Sequence, residues 1–313
     1  MTDAEWAVIE PLLPAPGWMA GKGGSPGSYC RRDIIDGIRY LVHNGGVWRA
    51  QPADLPHWRT VYGYVRDWHR SGATRRMHDQ LREQVRVLAG RRPQPTAAII
   101  DSQSVMAAGT VARNSRGYDA GKKIEGRKRH LTVDVMGLIS RVVVTAASVQ
   151  DRDGARPLLW KLAAGYRAIT LIWADGGYAG QLVTWAGQTL RRTLQIVKRP
   201  DGLHTFKVLP RRWVVERTFG WIMKHRRCVR DYERLPGHHE TYLYWPVIHV
   251  MAARLARRQA PAPHAPASAA RRSLAGACLA DRRAGLACPA GGLAMRARTG
   301  SSAAGLPAMA GVA

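Results

Sequence analysis

Acidic residues are scarce in this chain: 22 Asp and Glu stand against 48 Lys and Arg, a formal net charge of +26 over 313 residues. That imbalance points to a polyanion as partner, and by itself suits a nucleic-acid enzyme, a passive DNA binder or a ribosome-associated protein equally. Phenylalanine is nearly missing, at two residues, yet apolar residues still make up 46% of the chain. A disordered basic arm is therefore excluded, because enough apolar surface exists for a sizeable core. Nor is there any apolar run of about 18 residues. The start, MTDAEWAVIEPLL, holds Asp3 and Glu5 and lacks a basic n-region, so the expectation is a soluble, unexported protein without a membrane partner. Cysteine is sparse as well. Cys30, Cys228, Cys278 and Cys288 lie far apart with no C-x-x-C pair, which excludes a zinc knuckle and a disulfide framework. The histidines are scattered, and their one cluster, HHE at 238–240, reads as a solvated loop rather than a metal site.

Three zones follow along the chain. Residues 1–90 read as a small all-helical domain of the helix-turn-helix type, for DNA binding or assembly. Thr2 with Glu5 forms a capping-box pattern, RRDIIDGIRYLVHNGG places Ile34, Ile35, Ile38, Leu41 and Val42 on one face, and two more helices follow. In the third helix Val61, Val65 and Trp68 face inward, while Arg59, Tyr62, Arg66 and Arg70 face outward, as on a helix laid against DNA or on an ordinary solvated face. Residues 95–257 read as a mixed α/β sheet: TAAIID as a strand ending in Asp101, a basic loop, RHLTVDVMGLISRVVVTAAS as two strands about a turn at Met136 and Gly137, a helix, AITLIWADGG as a strand ending in Asp175, and RTLQIVKRP as another strand. Residues 259–313 hold six arginines against one acid, Asp281, with no Lys, no aromatic residue and dispersed Gly and Pro. That segment is expected to be a disordered tail.

Within the basic segment PRRWVVERTFGWIMKHRRCVR, at 210–230, Glu216 is the only carboxylate. Read as one helix, the segment has an apolar stripe of Val215, Phe219 and Ile222, with Arg212, Glu216 and Gly220 stacked at spacings of four and Lys224 and Arg227 roughly in line beyond them. One reading is an ion pair worth about 0.2–0.5 kcal/mol. The other is chemical: Asp101 and Asp175 end strands, and Glu216 follows on a helix, an arrangement that in α/β proteins faces a crevice. Three converging carboxylates require a cation, and oxygen ligands suit Mg²⁺ or Mn²⁺. As turn-forming residues Asp101 and Asp175 have ordinary explanations too. Asp134 is a candidate accessory acid across the sheet from Asp101, and Asp151 and Asp153 are expected to cap the following helix.

The ordered motifs IIDSQSV, GYDAGKKIEGRKRHLTVDVMGL, ADGGYAG and RRWVVERTFGWIMKHRRCVRDYE, preceded by MTDAEWAVIEPLLP, resemble bacterial insertion-sequence transposases of the DDE type, specifically the insertion-sequence-five family. The resemblance covers residues 1 to about 257 and implies a ribonuclease H-like catalytic domain, an α/β mixed sheet flanked by helices. It implies that Asp101, Asp175 and Glu216 are catalytic and metal-binding, with two Mg²⁺ or Mn²⁺ ions as cofactor. Arg212 matches the family's DNA-contacting arginine. The family's lysine would fall at Met223, with Lys224 one residue further on, and Leu209 stands where a tyrosine is usual. Lys224, Arg227, Lys122, Lys123, Arg127, Lys128, Arg129, Arg59 and Arg66 complete the expected DNA-contacting set, with Glu125 interrupting the run from Lys122 to Arg129. The short interval between Asp175 and Glu216 leaves no room for the inserted β domain of some relatives. The implied partners are double-stranded DNA and further copies of the chain, as a homodimer or synaptic assembly, in the bacterial cytoplasm at the nucleoid. The implied function is cleavage and strand transfer at terminal inverted repeats; an inactive DNA-binding remnant and a structure-selective nuclease are the rivals. The tail has no counterpart in the family and reads as a readthrough or frameshifted end.

Overall fold

The computed structural model describes residues 1–16, 21, 27–197 and 212–259. The expected tail lies outside them, apart from Gln259. At the amino end, Thr2 and Glu5 exchange their two capping-box hydrogen bonds, each 3.2 Å, and start α1 (Asp3–Ile9). α2 (Arg31–Asn44) stops at Gly45, which has φ +73° and sits so close to Arg226 that an added Cβ would stand 2.7 Å from that residue's own Cβ. Only glycine meets both demands. α3 (Trp58–Arg70) buries Val61, Val65 and Trp68, as its period predicts, and α4 (Ala73–Leu88) buries Met77, Leu81 and Val85.

Among the described residues six strands form one mixed sheet: β1 (Ala97–Met106), β2 (Gly117–Asp119), β3 (Ile124–Val133), β4 (Ile139–Ala146), β5 (Leu171–Ala174) and β6 (Thr193–Ile196). β1 is central, antiparallel to β3 and parallel to β5, and β6 runs parallel beyond β5. β4 pairs with the other edge of β3, and short β2 pairs with β3's beginning. This is the ribonuclease H-like order. The turn between β3 and β4 contains Gly137 at φ +79°, at the expected place.

Because side chains alternate across a strand, neighbouring residues feed opposite layers. Ala98 and Ile100 join a core with α5 (Asp151–Gly165) and α6 (Gln181–Leu190), in which Leu158, Leu162, Ile172 and Leu182 are buried. Ile99 faces the other way, into a core with Val215, Phe219 and Ile222 of α7 (Trp213–Met223). α8 (Arg226–Val229) is short, and α9 (Pro236–Gln259) threads the same core with Leu243, Trp245, Ile248 and Met251. α1, α2, α3 and α4 pack on α9, so Ile9, Ile34 and Leu81 belong to one continuous core with the α7 face of the sheet.

Several expectations change. β1 does not end at Asp101 but continues to Met106, held by β3 through Asp101↔Leu131 to Met106↔Gly126. The basic loop is largely β3 itself. The segment at 210–230 is not one helix: α7 ends at Met223, and a break at Lys224 and His225 precedes α8. α6 and α9 have no clear signal in the pattern. HHE lies in α9 rather than a loop; His239 is buried against Asp231 at 3.1 Å and Glu240 meets Lys161 at 3.2 Å. Asp151 opens α5 without capping it, since Gln150 holds the cap position.

Asp134 is not an accessory acid. It is fully buried at the end of β3, accepts from the amides of Met136 (2.8 Å) and Leu138 (3.0 Å), and pairs with Arg86 of α4. Removing one partner of such a pair leaves a buried charge uncompensated. Arg86→Leu is therefore expected to lower unfolding free energy by roughly 3–5 kcal/mol, measured by chemical denaturation. Arg86→Leu combined with Asp134→Leu should recover much of the loss.

Candidate active site

In the parallel register Ile99 stands beside Trp173. Two residues further along come Asp101, still in β1, and Asp175, just past the end of β5, so the register carries the two carboxylates near each other and Asp101 feels the charge of Asp175. Asp101 shares Ile99's face of β1, the face covered by α7. Its Oδ1 accepts from the Ser102 amide at 2.8 Å. Burial, and secondarily the charge of Asp175, push its pKa from the ordinary 3.8 up to about 6, against the opposing pull of Arg212 and Lys122.

Asp175 has two tasks. Its Oδ1 accepts from the Gly177 amide at 2.9 Å and caps the 3-10 turn Gly176–Tyr178, so the turn-forming explanation is correct as far as it goes. Its Oδ2 meets Arg212 Nη2 at 3.3 Å. Arg212 stands at the cap position of α7, one turn before Glu216. Glu216 is solvent-exposed in the first turn of α7, where a carboxylate favours the helix dipole, and has no hydrogen-bonding or ionic partner among the described residues. α7 packs directly on β1 and β3. The aspartates are thus brought together and Glu216 is carried on the covering helix. Among the described residues no three His, Cys, Asp or Glu groups stand close enough to hold a metal ion.

Residues 92–243 match the family described as the transposase DDE domain, and residues 1–78 match a family described as a transposase of the IS4/5 family. The chain is also similar to the insertion element IS402 uncharacterized 16.2 kDa protein of Burkholderia cepacia, at 31% identity over 109 residues, 34% of this chain and 73% of that protein. The chain belongs to the IS4/5 family of DDE transposases.

The expected DNA-contacting residues of this transposase divide by burial. Lys122 and Lys123 are exposed at the turn between β2 and β3, Lys123 in the left-handed region at φ 54°, and Lys122 is near enough to lower the Asp101 pKa. Lys224 is exposed at the end of α7. Arg59 is exposed over the Trp58 ring at 5.4 Å, and half-exposed Arg66 bonds Asp67 at 2.9 Å. Four others face inward. Arg127 is fully buried on Asp231 (2.9 Å) and the Glu233 carbonyl (2.8 Å), and Arg129 is fully buried against the Cys228 carbonyl. Lys128 points to the opposite layer, where it meets Asp151 at 3.0 Å. Arg227 is buried on Glu233 at 2.6 Å and on the Gly46 carbonyl at 2.9 Å. These four have little or no exposed surface and spend their charge on partners inside the fold, a structural role. For the three on β3 the cause is the strand itself: covered on both faces, it buries consecutive residues whatever their charge.

A polar network behind the site has no sequence signal. Ser102 Oγ donates to Asp151 at 2.7 Å, Asp151 meets Lys128, and Ser104 donates to Asp119, whose other oxygen accepts from the Lys122 amide at 3.1 Å. It ties β1, β2, β3 and α5 together on the face opposite Asp101, and only the β1 alternation hints at it.

The Asp101 shift has a definite sign. Between pH 3.8 and about 6 the folded chain holds a proton that the unfolded chain has released, so the stability this provides is complete below that window and lost as pH rises through it. In metal-free buffer above pH 7, Asp101→Asn is expected to stabilise the protein by on the order of 3 kcal/mol, at 1.36 kcal/mol per pKa unit. Below pH 4 the variant and the parent should unfold at the same denaturant concentration.

Proposed function

We propose that this DDE transposase binds the terminal inverted repeats of its insertion sequence, cleaves a phosphodiester to free a 3′-hydroxyl, and joins that hydroxyl to target DNA. The observation that carries the reading is the Asp101–Asp175 pair: a carboxylate on β1 beside one just past the end of the adjacent β5, the first with its pKa raised to about 6, beneath a helix presenting a free Glu216. Such a pair fits a divalent cation, which relieves the repulsion and has oxygen ligands of the kind Mg²⁺ and Mn²⁺ prefer.

Asp101, Asp175 and Glu216 would hold the metal and act as the catalytic triad. Two bound ions would supply activation of the attacking oxygen and stabilisation of the leaving one, first with water and then with the 3′-hydroxyl as nucleophile. Arg212, which meets Asp175 at 3.3 Å, would transfer to a DNA phosphate, since a guanidinium suits either acceptor. Lys122, Lys123 and Lys224 would hold the backbone about the cut, and Arg59 and Arg66 on α3 would contact duplex further away. Residues 1–90 would serve DNA binding and assembly, with two transposon ends held by a homodimer or larger complex. Among the described residues no helix is long and apolar enough to cross a membrane, which is compatible with work on the bacterial nucleoid in the cytoplasm.

One observation favours the second reading, an inactive DNA-binding remnant: Arg212 pairs with Asp175 at 3.3 Å. The two readings separate on a labelled duplex carrying the element's own ends. With Mg²⁺ the parent should give joined products, and Glu216→Gln should lose them by at least a hundredfold while binding the duplex equally. Tight binding with no metal-dependent product from either protein would establish the remnant; nicks without joining would establish a nuclease. Mg²⁺ should also raise the Tm of the parent above pH 7 and shift that of Asp101→Asn much less.

A further inference from the structure

The amino end of α4 lacks what ordinarily satisfies a helix start. Its cap residue is Gly72, at φ +70°, which brings no side-chain oxygen, and no acid stands in the first turn. The amides of Ala73, Thr74 and Arg75 find no acceptor among the described residues, although Ala73 and Thr74 are only 5% and 2% exposed. The Thr74 hydroxyl is buried and also without a partner among the described residues. Buried donors are seldom left unpaired, so a set of them in one turn calls for an acceptor.

Cations gather at the same place. Arg75 and Arg76 follow at once, at the end of the helix where the dipole disfavours positive charge. Arg76 donates to the Ser71 carbonyl at 2.7 Å. Arg75 is exposed, has no ionic or hydrogen-bonding partner among the described residues, and holds its Nη2 3.6 Å from where a Gly72 Cβ would stand, over the helix start. Gly72, Thr74 and Arg75 line a pocket of about 110 Å³ with Arg141 of β4, Lys161 of α5 and Glu240 of α9. Arg141 pairs with Asp79 at 3.2 Å and Lys161 with Glu240 at 3.2 Å, so among these residues Arg75 is the cation left to meet a ligand. At roughly 30 Å³ for each water molecule the space takes about three, far below the roughly 300 Å³ of a pocket for a larger organic ligand.

We infer that this pocket is an anion site that takes a single phosphate group, its oxygens accepting from the first amides of α4 and the Thr74 hydroxyl and meeting the Arg75 guanidinium. Free amides at a helix start beside a guanidinium are the chemistry that holds phosphate. None of these residues belongs to the Asp101–Asp175 pair or to the expected DNA-contacting set. The phosphate is either a free ion or part of a DNA backbone, and only the second source rests on the transposase reading.

The test follows the Tm of the full chain in chelator with inorganic phosphate, against chloride at equal ionic strength. Phosphate should raise the parent's Tm, and on titration Arg75→Gln should bind it roughly 10- to 100-fold more weakly. Thr74→Val should lose the phosphate response while its Tm in chloride stays at or above the parent's, because the buried unpaired hydroxyl is gone. Thr74→Ser should keep the response. A short DNA duplex decides the source. Displacement of phosphate by the duplex, with the salt slope of duplex binding lowered by about 1 in Arg75→Gln, would assign the site to a DNA backbone. Duplex binding identical in the parent and Arg75→Gln would assign it to the free ion. Equal Tm values in phosphate and chloride would overturn the inference, as would a phosphate response undiminished in Thr74→Val or in Arg75→Gln. A chain that binds phosphate through Thr74 but binds no duplex would remove the transposase reading and leave the site standing.

Discussion

Two carboxylates held by neighbouring parallel strands are the constraint around which the site is arranged. The β1–β5 register brings Asp101 and Asp175 together, and the fold tolerates this because one carboxyl is shifted toward its neutral form while Arg212 and Lys122 face the pair. Neither cation is locked away: Arg212 is half-buried at the start of α7 and Lys122 stands on an exposed turn. On the function proposed above, both would answer to phosphate as readily as to carboxylate. The repulsion would then be a form of preorganisation, since a divalent cation between the carboxylates would relieve it.

The core explains why so basic a chain folds. Arg82, Arg86, Arg127, Arg129 and Arg227 are buried, and Asp79, Asp134, Asp231 and Glu233 accept from four of them. Among the described residues Arg129 makes no salt bridge, and burial lowers its pKa to about 10 against the opposing pull of Asp231. Pairs of this kind add little net stability, because desolvation offsets most of the attraction, but a missing partner is costly and the pairing fixes which element meets which. Arg86–Asp134 joins α4 to the β3–β4 turn, and Arg227–Glu233 with the Gly46 carbonyl joins α8 to the end of α2. Several of the chain's few acids are thus engaged internally. The surface keeps the unpaired cations, which is where a polyanion meets them.

α9 joins the two halves. It contributes Trp245, Leu243, Ile248 and Met251 to a core shared by the amino-terminal helices and the α7 face of the sheet, so the helix bearing Glu216 rests on the same packing as α1 to α4. A displacement in the amino-terminal helices therefore has a packed route to α7, because close-packed interiors transmit strain.

By itself the sequence determined the α/β class, the capping box at Thr2, the inward faces of α2, α3 and α7, the Gly137 turn and the helix that carries Glu216, since period, caps and turn residues are local properties. The family resemblance rested on motifs equally local. Only the tertiary structure decided that Arg127, Lys128, Arg129 and Arg227 are interior, because a basic strand looks like a basic loop until both of its faces are covered. It also extended β1 past Asp101, where pairing with β3 overrides the apparent strand end, and made Asp134 structural through Arg86, 48 residues away in the chain. Long-range partners decide burial, burial decides which charges stay available, and no local pattern carries that information.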